Sequence, residues 1–234
     1  MSYYNAYRPT RWHDVIGHAG VLHILGGQVR SGQYAHSYLF HGSSGSGKTT
    51  VARLLAMSLN CQNMNGTGEP CGTCPDCRNT AKGSHWDVLE LDAGRFRGID
   101  DVRDLCFKAS YSPMSRYKVF IIDECHQLTE AAWNAMLKTL EEPPPYLVMI
   151  CVTTELARIP LTIQSRCQLF QFRAIGPEDI VAKLRRIADT ENVKISDSDL
   201  TALAGQARSN LRSAENMLEQ WASGTKAVQF SISI

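Results

Sequence analysis

The chain has 234 residues, 44% hydrophobic and 20% charged, with a formal net charge of +1. That is an ordinary globular composition for one large or two smaller domains, and the near-neutral charge argues against a strongly basic, sequence-indifferent nucleic-acid binder, so any such contact must be local or shared with partners. No apolar run approaches the roughly twenty residues of a membrane span. The first residues lack the charged and apolar regions of a signal peptide, so the expected location is cytoplasmic, with no membrane partner.

In chain order, Tyr7-Arg8-Pro9-Thr10-Arg11-Trp12 leads to a predicted helix from about Gly20 to Arg30. The aromatic residues and proline of this arm either pack around a base or lie on the sheet, and their pattern leaves both readings open. Ser37 to Phe40 then reads as a short buried strand. It runs into Gly42-Ser43-Ser44-Gly45-Ser46-Gly47-Lys48-Thr49, which fits the G-x-x-x-x-G-K-[ST] pattern at every fixed position. Glycines let several N–H groups turn inward, and the N-terminus of the following helix, Thr50 to Leu59, adds partial positive charge, so the stretch suits phosphates. Residues 42–50 are therefore the candidate nucleoside-triphosphate set, with Lys48 reaching the β/γ-phosphates and the Thr49 hydroxyl holding Mg²⁺.

Cys61, Cys71, Cys74 and Cys77 follow in a C-x₉-C-x₂-C-x₂-C arrangement rich in turn-forming glycine and proline. Four thiolates at short spacing suit a structural Zn²⁺ better than disulfides in a reducing compartment. The knuckle, about 61–77, is an insertion expected at the periphery. Cys106, Cys125, Cys151 and Cys167 stand singly and read as small buried hydrophobes.

Trp86 to Asp92 reads as the next strand, and Ile99 to Ser110 as a helix. Tyr117 to Ile122 is an apolar run ending in Asp123-Glu124, the pattern of a buried parallel strand with functional groups at its carboxyl end. Asp123 would orient Mg²⁺, and Glu124 would polarise the attacking water. Thr129 caps a helix reaching Glu142, which Pro143-Pro144-Pro145 stops. Tyr146 to Val152 and Gln168 to Arg173 read as two more strands. From Gly176 the pattern changes to three helices: 177–192, 198–208 and 210–223. The fold class is α/β, a mostly parallel sheet flanked by helices, followed by a small helical domain. Expected boundaries are 1–174 for the nucleotide domain and 175–225 for a helical lid; the tail, 226–234, is unassigned.

The phosphate loop, the Asp123-Glu124 pair, Thr154, Ser165-Arg166-Cys167 and Arg212, in that order, resemble the AAA+ ATPases, and most closely the clamp-loader group. Within it the four-cysteine knuckle is similar to that of the bacterial DNA polymerase III gamma/tau subunit family. The resemblance covers nearly the whole chain, including Asp100-Asp101-Val102-Arg103-Asp104-Leu105 and Leu137-Lys138-Thr139-Leu140-Glu141-Glu142-Pro143. It implies sheet order 5-1-4-3-2, Thr154 as a first sensor of the γ-phosphate, Arg212 as a second sensor reaching from the helical domain, and Arg166 as an arginine acting in trans on a neighbour's nucleotide. Two positions depart from the family pattern: Ser213 stands where Asp is common and Phe96 where many relatives have Asn. The family's third domain, a helical collar, would begin about where this sequence stops, so a longer parent chain or a shorter, phage-encoded relative is expected.

The function so implied is an ATP-hydrolysing subunit that helps open a sliding clamp and load it on primed DNA, with ATP, Mg²⁺ and structural Zn²⁺ as cofactors. Its implied partners are other clamp-loader subunits, the clamp, DNA in the assembled complex, and the replicative polymerase if a longer form exists. The alternative is a nucleotide-binding assembly subunit with little hydrolysis of its own. A small-molecule phosphotransferase would leave Thr154, Arg166 and Arg212 without a collective role.

Overall fold

The computed structural model describes residues 2–64 and 66–224, so the sequence reading of the tail at 226–234 lies outside the described residues. In chain order the elements are α1 (Tyr3–Ala6), α2 (Ala19–Ser31), β1 (Ser37–Gly42), α3 (Lys48–Asn60), α4 (Pro75–Lys82), β2 (Val88–Asp92), α5 (Ile99–Ala109), β3 (Lys118–Asp123), α6 (Glu130–Glu141), β4 (Leu147–Thr153), α7 (Leu161–Gln164), β5 (Gln168–Phe172), α8 (Pro177–Thr190), α9 (Asp197–Gln206) and α10 (Leu211–Ala222). They divide into two compact units. Among the described residues, the larger contains Pro9–Ser43 and Lys48–Phe172; the smaller contains 2–8, Ser44–Gly47 and 173–224.

The larger unit is built on five parallel strands in the order β2-β3-β4-β1-β5. This is the AAA+ order that the sequence resemblance implies. Alternate side chains of each strand point to opposite faces, so an uninterrupted apolar run feeds two cores. Tyr38, Phe40, Val119, Ile121, Val148 and Ile150 face one core with Leu25 of α2 and Leu54 and Leu55 of α3. Leu39, Phe120, Ile122, Met149 and Cys151 face the other with Val102 and Leu105 of α5 and Trp133 and Met136 of α6. Burying each large side chain contributes about 1.5–3 kcal/mol, and this packing holds the helices against the strands.

The β2 strand starts two residues later than its apolar pattern predicts. The Asp87 carboxylate takes the backbone N–H groups of Met114 and Ser115, both at 2.8 Å, while its carbonyl accepts the Val119 N–H of β3 at 2.7 Å, and Trp86 is exposed. The cysteine insertion also differs from expectation. It contains α4, capped by Cys74 with Pro75 in the first turn, and Cys61, Cys74 and Cys77 are buried within the same core as Trp12 and Leu25. Trp12 donates its indole N–H to the Gly68 carbonyl at 2.9 Å and its backbone N–H to Glu69 at 2.9 Å, which fastens the insertion to the N-terminal arm. Of the four single cysteines, Cys125 and Cys151 are fully buried, whereas Cys106 and Cys167 are only half-buried.

In the smaller unit α8, α9 and α10 bury Ile180, Leu184, Ile187, Leu200, Leu203 and Leu218. Ser196 and Asn210 cap α9 and α10 by accepting the N–H groups of Asp199 and Ser213, both at 3.1 Å. Helix α1 is tied on through Glu219, which accepts the Ser2 hydroxyl at 2.9 Å and the Tyr3 N–H at 3.2 Å, while Lys183 donates to the Tyr7 carbonyl at 2.9 Å.

Glu215 is buried in this unit. Burial pushes its carboxyl up to about 7, against the opposing pull of Lys183 and Arg212. An acid whose folded value is raised favours the protonated form, so its stabilisation is complete below the unfolded value near 4.5 and is lost as pH rises through about 7. Glu215→Gln should remove this dependence, a difference on the order of 3 kcal/mol between pH 4 and pH 8. Urea unfolding of both proteins across that range, followed on the helical unit, checks it; parallel stability curves would contradict the assignment.

Candidate functional site

Parallel pairing brings the carboxyl ends of β1, β3 and β4 side by side, and the sequence-predicted groups of the larger unit gather there. Strand β1 delivers Gly42 and Ser43, the start of α3 delivers Lys48, Thr49 and Thr50, β3 ends in Asp123 before Glu124, and Thr154 follows β4.

Gly42 has φ +145, and an added Cβ would stand 1.9 Å from the Phe172 carbonyl oxygen of β5, so the exit from β1 admits no side chain. Gly45 and Gly47 also have positive φ, +72 and +93. Gly45 lies against Asn210 in the smaller unit, where a Cβ would meet the amide at 2.2 Å. The buried Lys48 ammonium donates to the carbonyls of Gly42 and Ser43, both at 2.8 Å, which stations a positive charge under the loop. Together with burial, that charge holds the His41 imidazole below its usual range, burial being the larger cause.

Thr49 Oγ1 donates to Asp123 Oδ2 at 2.9 Å, and Asp123 Oδ1 accepts the Glu124 N–H at 2.9 Å. Burial raises the Asp123 carboxyl above its usual range, and these two hydrogen bonds act against the rise. A hydroxyl and a carboxylate so paired, beside a phosphate loop, suit a hard cation such as Mg²⁺. Glu124 has φ +48, a left-handed conformation that costs a β-substituted residue on the order of 1 kcal/mol. It turns the Glu124 carboxylate out of the strand line, where its Oε2 accepts the Thr154 hydroxyl at 3.1 Å.

Arg166 is not brought to this cluster. It precedes β5, whose Gln168 is level with Tyr38 while Phe172 is level with Gly42. At about 3.3 Å per residue in a parallel strand it therefore lies roughly 20 Å from the loop, at the opposite end of the sheet. There its guanidinium pairs with Glu141 at the end of α6, Nε donating at 3.0 Å. Arg212 belongs to the smaller unit, where its guanidinium stacks 4.4 Å from the Tyr4 ring centroid and donates to the Tyr4 hydroxyl at 2.7 Å. Arg8 lies over the same ring at 4.6 Å. Sequence reasoning passed over Tyr4, Glu141 and His126, because each acquires a partner only through the tertiary fold.

The four cysteines form a second centre. Their sulfurs lie within 4.8 Å of one another, and those of Cys71 and Cys77 are 3.9 Å apart. Four thiolates about 2.3 Å from one Zn²⁺ stand about 3.8 Å from each other, so the cluster fits that ion. Backbone N–H groups of Cys71 and Cys74 point at the sulfurs of Cys61 and Cys71 at 3.3 and 3.2 Å, which favours the thiolate form. At Cys71 burial acts upward, but these N–H and Thr73 contacts prevail and bring the thiol down to about 6; burial keeps Cys61 and Cys77 raised. The His85 ring fixes α4 in place. Its Nδ1 accepts the Asp87 N–H at 3.0 Å, so Nε2 carries the proton and donates to Asp76 at 3.2 Å.

A family model described as DNA polymerase III, delta subunit, matches residues 17–176. The chain is 40% identical over 224 residues to DNA polymerase III subunit tau of Bacillus subtilis, covering 94% of this chain and 40% of that protein. It is 44% identical over 217 residues to Protein STICHEL-like 1 of Arabidopsis thaliana, covering 92% of this chain and 19% of that protein. The chain thus spans less than half the length of these two relatives. Among solved structures, the Thermotoga maritima RuvB Holliday junction branch migration motor superposes with a TM-score of 0.68 at 18% identity, over 92% of this chain and 64% of that one. That likeness is one of fold. Among the described residues no helix is long and apolar enough to cross a membrane.

Proposed function

The chain belongs to the DNA polymerase III delta-subunit family whose model matches residues 17–176, and it is a clamp-loader-like AAA+ protein; from that premise we propose that it is an ATP-hydrolysing clamp-loader subunit that helps open a sliding clamp and load it at primed DNA. The observation that carries this reading is the joined pair of contacts at the strand ends: Thr49 on Asp123, and Thr154 on Glu124. A protein that only held nucleotide would need the first; the second orients a carboxylate suited to water activation. The name of the Bacillus subtilis relative, a DNA polymerase III subunit, supports the replication setting.

In this reading residues 42–50 hold the triphosphate, Lys48 neutralises the β/γ-phosphates, and Thr49 and Asp123 would hold Mg²⁺, which when bound neutralises phosphate charge. Glu124 takes the proton of the attacking water, Thr154 keeps the Glu124 carboxylate in position, and Arg212 answers the γ-phosphate once released from Tyr4. The distance of Arg166 from its own phosphate loop favours service to the next subunit's nucleotide. A guanidinium stays charged and its fork matches phosphate oxygens. Other clamp-loader subunits, the clamp and primed DNA are the proposed partners, and Cys61, Cys71, Cys74 and Cys77 would hold one structural Zn²⁺.

Three outcomes are expected. Lys48→Ala abolishes tight ATP binding, whereas Glu124→Gln keeps affinity and slows turnover, as ATP-binding titrations and steady-state hydrolysis will show; equal loss of affinity in both would overturn the roles. Elemental analysis finds one zinc per chain, and chelation lowers the melting temperature of the larger unit without abolishing ATP binding; protein purified free of zinc with an unchanged melting temperature would contradict the metal. Arg166→Ala leaves ATP binding by the isolated chain unchanged and cuts hydrolysis in the assembled complex by roughly 10³-fold. Mixing Arg166→Ala and Lys48→Ala subunits locates the loss, and loss confined to the mutant arginine's own nucleotide site would show action in cis.

A further inference from the structure

His126 is buried, and none of the roles above uses it. Its ring stands between two carboxylates, with Nδ1 3.4 Å from Glu124 Oε2 and Nε2 3.2 Å from Glu155 Oε1. Nδ1 also meets the Thr153 hydroxyl at 3.0 Å, and that oxygen accepts the Glu155 N–H at 2.9 Å. Glu155 opens the segment that runs from the carboxyl end of β4 through α7 to Arg166 at the amino end of β5. The segment is braced along its length. Arg158 pairs with Glu155 at 3.5 Å, and the Gln164 amide donates to the carbonyls of Leu156 and Ile159 at 3.3 and 2.8 Å.

We propose that His126 is a positioning residue for hydrolysis, holding the Glu124 carboxylate with one ring nitrogen and the head of the Arg166 segment with the other. Thr154 alone fixes one donor on Glu124 Oε2 and leaves the carboxylate free to swing about its last torsion. The edge of the His126 ring, with Nδ1 3.4 Å from the same oxygen, is a second contact that limits this swing and so sets which carboxylate oxygen faces the water. Nδ1 is held by the Thr153 hydroxyl at 3.0 Å, so the rigid ring stays between the two carboxylates and transmits a shift of either. The base of one nucleotide site and the arginine offered to the next subunit are thereby referred to a single imidazole. This inference rests on the ATPase reading.

The test uses the full chain assembled with clamp-loader subunits from its own source on primed DNA, with ATP as the probe. Wild-type turnover establishes the premise; its absence would end the ATPase reading and this inference together. Given turnover, His126→Ala should lower kcat at least ~10-fold, with KM and ATP affinity within about twofold. His126→Asn, whose amide nitrogen stands in for Nδ1, should restore most of the rate, whereas His126→Gln, which reaches toward Glu155, should not. Wild-type kcat in His126→Ala, equal kcat in the Asn and Gln variants, or parallel loss of affinity, melting temperature and rate in every variant would overturn the role. If His126→Ala fails to fold, the Asn and Gln comparison decides. Glu155→Gln, placed in one subunit of a mixed assembly, should slow hydrolysis at the neighbouring site that its Arg166 serves; an unchanged rate there would overturn the link between sites.

Discussion

Hydrogen bonding of β4 between β1 and β3 is the constraint from which the site follows. With all three strands parallel and in register, His41 level with Thr153 and Ile122 level with Cys151, their carboxyl ends end up side by side. The phosphate loop, the acids and Thr154 are separated by tens of residues in the chain, and no local preference would bring them together. The ladder does so, and the two apolar faces that pack α2 and α3 on one side and α5 and α6 on the other hold it flat against displacement. The same geometry sets Arg166 apart. Because β5 is parallel to β1, whatever precedes it lies at the far end of the sheet, so the larger unit carries Lys48, Thr49 and the two acids at one end and a paired guanidinium at the other.

The cysteine insertion shows a different balance of forces. Its backbone supplies few apolar residues, yet three of its four cysteines are buried in the main core. Trp12, Glu69 and His85 tie it from three directions, through the arm, the insertion's own loop and the start of β2. The four sulfurs form a group that could hold a metal ion, and their place among Trp12 and Leu25 makes the cluster part of the main core and not an appendage.

Much of this was legible in the residues. The strand runs are apolar throughout because both faces are covered, and the phosphate loop and acids stand where such runs end. The four-cysteine spacing likewise forecast the cluster. The start of β2 was not legible, since Asp87 looks like part of an alternating run until Met114 and Ser115 claim its carboxylate. Helix α4 was overlooked although Cys74-Pro75 gave an N-terminal signal, because the spacing drew attention to the sulfurs. The partners of Arg166, Arg212 and His126 had no signature in sequence: Glu141, Tyr4 and Glu155 are ordinary residues that become specific only by position.

Gly42 separates two kinds of selection within one motif. Its lack of a side chain is enforced by the Phe172 carbonyl, a neighbour in the sheet. A Cβ at Gly47, by contrast, would meet no protein atom within 4 Å, and within the chain its restriction is the φ of +93. Gly42 therefore answers to the sheet itself, and a side chain there would cost the pairing of β1 with β5 before it touched any chemistry.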